Sequence, residues 1–189
     1  MPRKLATPSR RIYQLKITLK GSKPPIWRRV EVADDITLEM LHTIIQEVMG
    51  WTDSHLHAFT ANGISYGTPD LDDIMEVQDE RTSHLHTLLR APKQHLLYEY
   101  DFGDNWEHQV VLEKILEPQA ATLYPRCTAG KRACPPEDCG GIWGYADFLQ
   151  AIADPEHPDH EELLDWIGEA FDPEYFDLVE VNTALQGRH

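Results

Sequence analysis

The order of apolar and polar positions sets out most of the chain. Tyr13, Leu15, Ile17 and Leu19 alternate with Gln14, Lys16 and Thr18, the period-two pattern of a half-buried strand. Gly21-Ser22-Lys23-Pro24-Pro25 breaks the run, and residues 26–32 predict a second strand antiparallel to the first. From Leu38 the period lengthens. Leu38, Leu41, Ile44, Ile45, Val48 and Met49 make one apolar stripe at helical spacing, with Thr37 placed to cap it and Gly50 to end it. The Asn62-Gly63 pair between 56–60 and 64–66 predicts a tight hairpin. Residues 69–73 read as loop, and 83–89 as a short helix or strand edge. Residues 96–102 and 106–116 predict two further strands, with Trp106, His108, Val110 and Leu112 on one face. In the turn between them, Gly103 is expected to take positive φ and Asp104 to bond its own backbone.

The periodicity then stops. Residues 125–145, PRCTAGKRACPPEDCGGIWGY, hold all three cysteines, four of the eleven glycines and three of the thirteen prolines. This reads as a long ordered loop, a kind that is uncommon in compact domains and is often functional. Helical spacing returns at 145–153, at 160–168 and at 173–185, where Asp172 is expected to cap and Pro173 to occupy the first turn. The pattern predicts an α+β fold: a mostly antiparallel or mixed sheet crossed by a helix, then a helical C-terminal part. We read residues 1–10 as a basic arm without order and 11–189 as one domain, β-rich over 11–124, ordered loop over 125–144 and helical over 145–186.

Composition narrows the function classes. A net charge of −15 disfavours a duplex-DNA binder, which needs clustered Lys and Arg to neutralise phosphates. The charge is uneven: residues 1–29 carry nine Lys/Arg and no acid, whereas 154–180 carry eleven Asp/Glu and no Lys/Arg. A basic arm that touches nucleic acid is one reading; a solvated arm and an acidic helical face are the other. No apolar run reaches the roughly 20 residues of a membrane helix. An odd number of cysteines does not fit a secreted disulfide framework, so a cytoplasmic setting is expected.

Four groups of residues carry chemistry. Cys127, Cys134 and Cys139 would suit zinc, with a fourth ligand from His108, His55 or His57; packed structural thiols are the alternative. His55 and His57 would face the same way on a strand. Asp101, Asp104 and His108 around the predicted turn are candidates for acid/base work or a hard metal. Glu137 and Asp138 sit on a loop stiffened by Pro135 and Pro136, close in sequence to Arg126, Lys131 and Arg132, with which they could pair. The letters DFG at 101–103 lack the companion segments of a kinase, and Gly130-Lys131-Arg132 is not a phosphate-binding loop.

These segments together resemble the plasmid pRiA4b ORF-3-like family. The resemblance rests on YQLKITLKGSKPPIWRRVEV at 13–32, LHTIIQEVMGWTDSHLHAF at 41–59, YEYDFGDNWEH at 98–108, PRCTAGKRACPPEDCGGIWGYADFL at 125–149 and FDPEYFDLVEVN at 171–182. It implies a prokaryotic α+β domain found on chromosomes, plasmids and mobile elements, and no particular activity. Relatives are expected to have Val where Cys139 stands, so the resemblance does not imply a three-cysteine zinc site. The expected function is a non-enzymatic binding or accessory domain with a protein or nucleic-acid partner. The alternative is a metal-dependent enzyme, acting for instance on nucleic acid, with its site between the 101–108 hairpin and the 134–141 loop. Its catalytic candidates are Asp101, Asp104, His108, Glu137 and Asp138.

Overall fold

The computed structural model describes residues 10–69, 77–168 and 171–187; the predicted arm, apart from Arg10, and most of the predicted 69–73 loop lie outside them. Strands β1 (Ile12–Leu19) and β2 (Trp27–Ala33) are followed by helix α1 (Leu38–Met49) and the hairpin β3 (His57–Ala61) and β4 (Ile64–Gly67). A short β5 (Gln78–Asp79), a one-turn α2 (Leu85–Leu88), β6 (His95–Tyr100), β7 (Trp106–Leu116) and β8 (Arg126–Lys131) come next. Three helices close the chain: α3 (Gly141–Ala153), α4 (His160–Ile167) and α5 (Leu178–Gln186). The strands form one mixed sheet in the order β5-β4-β3-β6-β7-β1-β2-β8, antiparallel except between β4 and β5.

Register decides what meets on the inner face. Phe59 pairs with Tyr98, Tyr98 with His108 and His108 with Leu19, making one row across four strands. The neighbouring row runs His57, Tyr100, Trp106. Over this face lies α1, whose apolar stripe is buried. Each of its large side chains contributes ~1.5–3 kcal/mol by leaving water. Thr37 accepts the N–H of Met40, and Gly50 ends the helix at φ 90°. Polar groups join the helix to the sheet as well. His42 and Gln46 both reach Tyr98. The buried Arg28 of β2 donates to the carbonyls of Val48, Trp27 and Lys131 and stacks on Phe176.

Three boundaries differ from the sequence pattern. The expected loop after 125 begins with an edge strand, β8, paired with β2. Only Cys127 on it is buried, so no apolar alternation marked it and its pairing is decided by the sheet. The next helix starts at Gly141, four residues before its first buried aromatic. The last helix starts at Leu178 rather than Pro173: Asp177 caps it by accepting from Val179 and Glu180, while Asp172 closes only a turn at Glu174.

Candidate functional site

Three segments meet at one end of the sheet: residues 51–57, the turn after β6, and the Pro/Gly loop 134–141. In the turn, the left-handed residues are Asp101 (φ 58°) and Asn105 (φ 56°), not Gly103. The side chain that closes it is Asp101, which accepts the Gly103 N–H at 2.8 Å. The carboxylate of Asp104 faces outward and accepts from Gly140 N at 3.1 Å, joining the turn to the loop. Gly141 (φ 69°) lies so close to the Asp104 carbonyl that a Cβ there would collide with it. On the other side, Trp51 Nε1 donates to Pro135 O at 3.1 Å. Glu137 accepts from the Tyr100 hydroxyl at 2.6 Å and from Thr52. Burial and this acceptor raise the Tyr100 pKa well above its usual value.

These ties hold His55 between two carboxylates. Its Nε2 is 3.2 Å from Asp138 Oδ1, and its Nδ1 is 3.7 Å from Asp101 Oδ2. One ligand atom from each of the three residues lies within 4.8 Å of the others. Asp101 and Asp138 both have positive φ, 58° and 60°, a conformation that costs about 1–3 kcal/mol each and clusters at functional sites. A neutral imidazole has one N–H and one lone pair. With a carboxylate at each nitrogen, one of the two faces is a lone pair against an anion. A metal ion held by the imidazole lone pair and the carboxylates would remove that mismatch.

The cysteines do not share this site. Cys127 is buried under β8 with its thiol on Ala129 O, and Cys134 and Cys139 pack against the core. All three are free, and among the described residues none joins a group of three metal-type ligands. The structure therefore does not bring the candidate zinc set of Cys127, Cys134 and Cys139 together. Burial raises all three thiols, Cys139 to about 12 with help from Asp104 and Cys134 further, which leaves them protonated and unreactive. His108 is likewise removed from the acid/base set. It is fully buried, with Nδ1 on Trp106 O and no hydrogen-bond partner for Nε2. Burial lowers its pKa to about 4. Nor do the nearby bases pair with Glu137 and Asp138: Arg126 binds Glu31 and Arg132 binds Glu174.

His55 and His57 also part company, because β3 begins only at His57. The His57 ring stacks on that of His42, with centroids 3.5 Å apart and planes 4° from parallel. Glu80, itself buried, takes His57 Nε2 at 2.9 Å. Sequence reasoning missed His42, Asp53, Glu80, Gln46 and Tyr98. A His and a Gln four residues apart beside the apolar stripe of α1 were the available signal; Glu80 had none. His42, Asp53 and His57 also place ligand atoms within 4.8 Å, but their proton pattern is closed. Gln46 Oε1 accepts from Asp53 N, so its amide N–H points to the Tyr98 oxygen. The Tyr98 hydroxyl then donates to His42 Nδ1, leaving the His42 proton on Nε2, aimed at Asp53 Oδ1 2.8 Å away. His42 thus offers an N–H where a metal needs a lone pair. Burial first, and the His57 charge second, lower its pKa.

A sequence profile of the family described as plasmid pRiA4b ORF-3-like protein matches residues 11–180. The chain is 37% identical over 176 residues to the uncharacterized protein y4hQ of Sinorhizobium fredii (strain NBRC 101917 / NGR234), covering 92% of this chain and 90% of that protein. Its fold is similar to the crystal structure of a protein of unknown function, MM3350, from Methanosarcina mazei Go1. That similarity has a TM-score of 0.84 at 42% identity and covers 91% of this chain and 97% of the other.

Proposed function

This chain belongs to the plasmid pRiA4b ORF-3-like family, and from that premise we propose that it is a cation-dependent binding domain rather than an enzyme. The observation that carries the reading is His55 held between Asp101 and Asp138, which leaves a place for one positive charge at a partly open surface. Exposed Leu56 and Phe102 flank two of these residues in sequence and offer apolar contact beside the charge. The hydroxyls and thiols around the site favour binding over nucleophilic chemistry. Tyr100 is committed to Glu137, and the Cys134 and Cys139 thiols are held protonated. No helix among the described residues is long and apolar enough to cross a membrane, and a cytoplasmic setting would keep the thiols reduced. The family description names a plasmid reading frame, which supports an accessory role on mobile DNA; unchanged plasmid retention after deletion of the gene would count against it.

The test is a titration of chelator-treated protein with Mn2+, followed by electron paramagnetic resonance, on the natural protein and on His55→Ala and Asp101→Asn. One saturable site, weakened at least about tenfold in both variants, supports a metal ion as the cation. Saturation that both variants leave unchanged overturns it. A second reading, metal-assisted hydrolysis, draws on the same His–carboxylate group. Mn2+-dependent turnover of bis-p-nitrophenyl phosphate, lost in His55→Ala, would replace the binding reading with that one.

A further inference from the structure

Beside the His55 group, and sharing Asp138 with it, a cavity of ≈ 400 Å³ opens between α3 and α4. Its composition is specific. The floor is apolar and aromatic: Phe148 is buried, and Trp166, 46% exposed, meets it edge to face at 5.9 Å. Carboxylates stand on both sides, Asp138 and Asp147 from the loop and α3, Asp159 and Glu162 from the start of α4. Acids at a helix start are explained by the helix dipole, so Asp159 and Glu162 alone would mean little. Asp138 stands just before α3 and faces His55, but Asp147, in the middle of α3, has no such role and lines the same cavity.

Imidazoles answer part of this charge, His55 at 3.2 Å from Asp138 and His157 at 4.0 Å from Asp159, but nothing pairs with Asp147 or Glu162 among the described residues. Among the described residues, no Lys or Arg forms an ion pair with any of the four carboxylates. The sole base in the lining, His157, accepts the Asp159 N–H on Nδ1. An exposed indole beside carboxylates in a concave, apolar-floored space has the chemistry that recognises a guanidinium or ammonium group on an aliphatic stem. The ring takes the cation over its face or the stem against it, and the carboxylates take the charge.

The geometry points to this cavity as the docking site for a basic peptide segment of a partner protein, with an Arg or Lys side chain seated between Trp166 and Asp147. The proposal extends the binding-domain reading to a class of partner and does not need a metal at His55.

The test is fluorescence anisotropy with two labelled nonapeptides, one rich in Arg and one in Glu, at several salt concentrations. The proteins are the natural chain, Asp147→Asn/Glu162→Gln, Trp166→Phe and a control, Glu39→Gln/Glu117→Gln, which makes the same charge change elsewhere. The Arg-rich peptide is expected to bind, about tenfold more weakly to the cavity double variant and about threefold more weakly to Trp166→Phe. The control variant is expected to bind within twofold of the natural protein, and the Glu-rich peptide not to bind. Equal weakening in the two double variants would reduce the effect to general attraction by net charge and overturn the proposal, as would no binding of the Arg-rich peptide. Mn2+ titration of the cavity double variant separates the two readings: it should match the natural protein whichever way the peptide result falls.

Discussion

Residues 51–57 supply histidines to two groups of opposite character. His57 turns inward to stack on His42, and there each proton has an assigned acceptor: Tyr98 to His42, His42 to Asp53, His57 to Glu80. His55 turns outward and meets a carboxylate at each nitrogen. The residue types are nearly the same, two acids beside imidazole in each case. Burial explains the difference. Inside, an unpaired donor or acceptor costs about 1–3 kcal/mol, so the network closes on itself. At the rim, water answers what the protein leaves open, and a site with a charge to receive can persist. The closed group holds the fold, and the open one carries the proposed cation site.

The largest expected contrast is in stability. Glu80→Ala strips His57 and Thr68 of a buried partner and should cost about 3 kcal/mol. Asp138→Ala, with its side chain 71% exposed, should stay within about 0.5 kcal/mol. Urea unfolding of both variants checks this, and equal losses would erase the distinction between the groups.

The next effect is pH dependence of the same buried layer. His108 has a folded pKa of about 4 against an unfolded value of ~6.5. Between the two, the unfolded chain binds the proton that the native state refuses. Stability from this group is therefore complete above pH ~6.5, falls as the pH drops and is lost near pH 4, an effect of about 3 kcal/mol. The lowered His42 adds in the same direction. Urea midpoints between pH 7 and 4 should fall steeply for the natural protein and less so for His108→Phe.

Gly141→Ala tests how the open group is assembled. A Cβ would collide with the Asp104 carbonyl and meet a positive φ, for about 2 kcal/mol, and should weaken Mn2+ binding as the loop shifts. Gly168→Ala has a similar φ but open space around it. It should cost only about 1 kcal/mol and leave Mn2+ binding unchanged. Smallest is Tyr98→Phe, at about 1 kcal/mol. Removing the hydroxyl frees His42 Nδ1 while Asp53 still holds the proton on Nε2, so 15N shifts of the ring should keep the Nε2–H pattern with only the Nδ1 signal moving.

Much of the fold was legible because it repeats. The alternation of β1, the stripe of α1 with Thr37 and Gly50 at its ends, the Asn62-Gly63 hairpin and the inward row on β7 each rest on local physics that a short window contains. The meeting of the 101–108 turn with the 134–141 loop was anticipated from the stiffness of Pro135, Pro136 and the glycines. What failed was the assignment of partners. Three cysteines in one loop left both packed thiols and zinc ligation open, because their spacing says nothing of where each thiol points; the structure packs them against the core. The HxH pair looked like one unit, but strand pairing begins at His57 and sends His55 elsewhere. Glu80 had no pattern to betray it, because its significance lies in its partners His57 and Thr68, which only the fold brings to it.

By itself, then, the chain's sequence determined most of the elements, the α+β class, the family and the stiff loop, all properties of neighbouring residues or of the whole string. Tertiary structure alone decided that His55, rather than any cysteine, lies between Asp101 and Asp138, and that the proton order around His42 is closed. It also decided that the acidic start of α4 faces Asp147 across a cavity. The physical reason is common to all three. Charge balance and hydrogen-bond satisfaction are settled between atoms a few ångströms apart, and here those atoms come from segments up to 83 residues apart in the chain (His55 to Asp138).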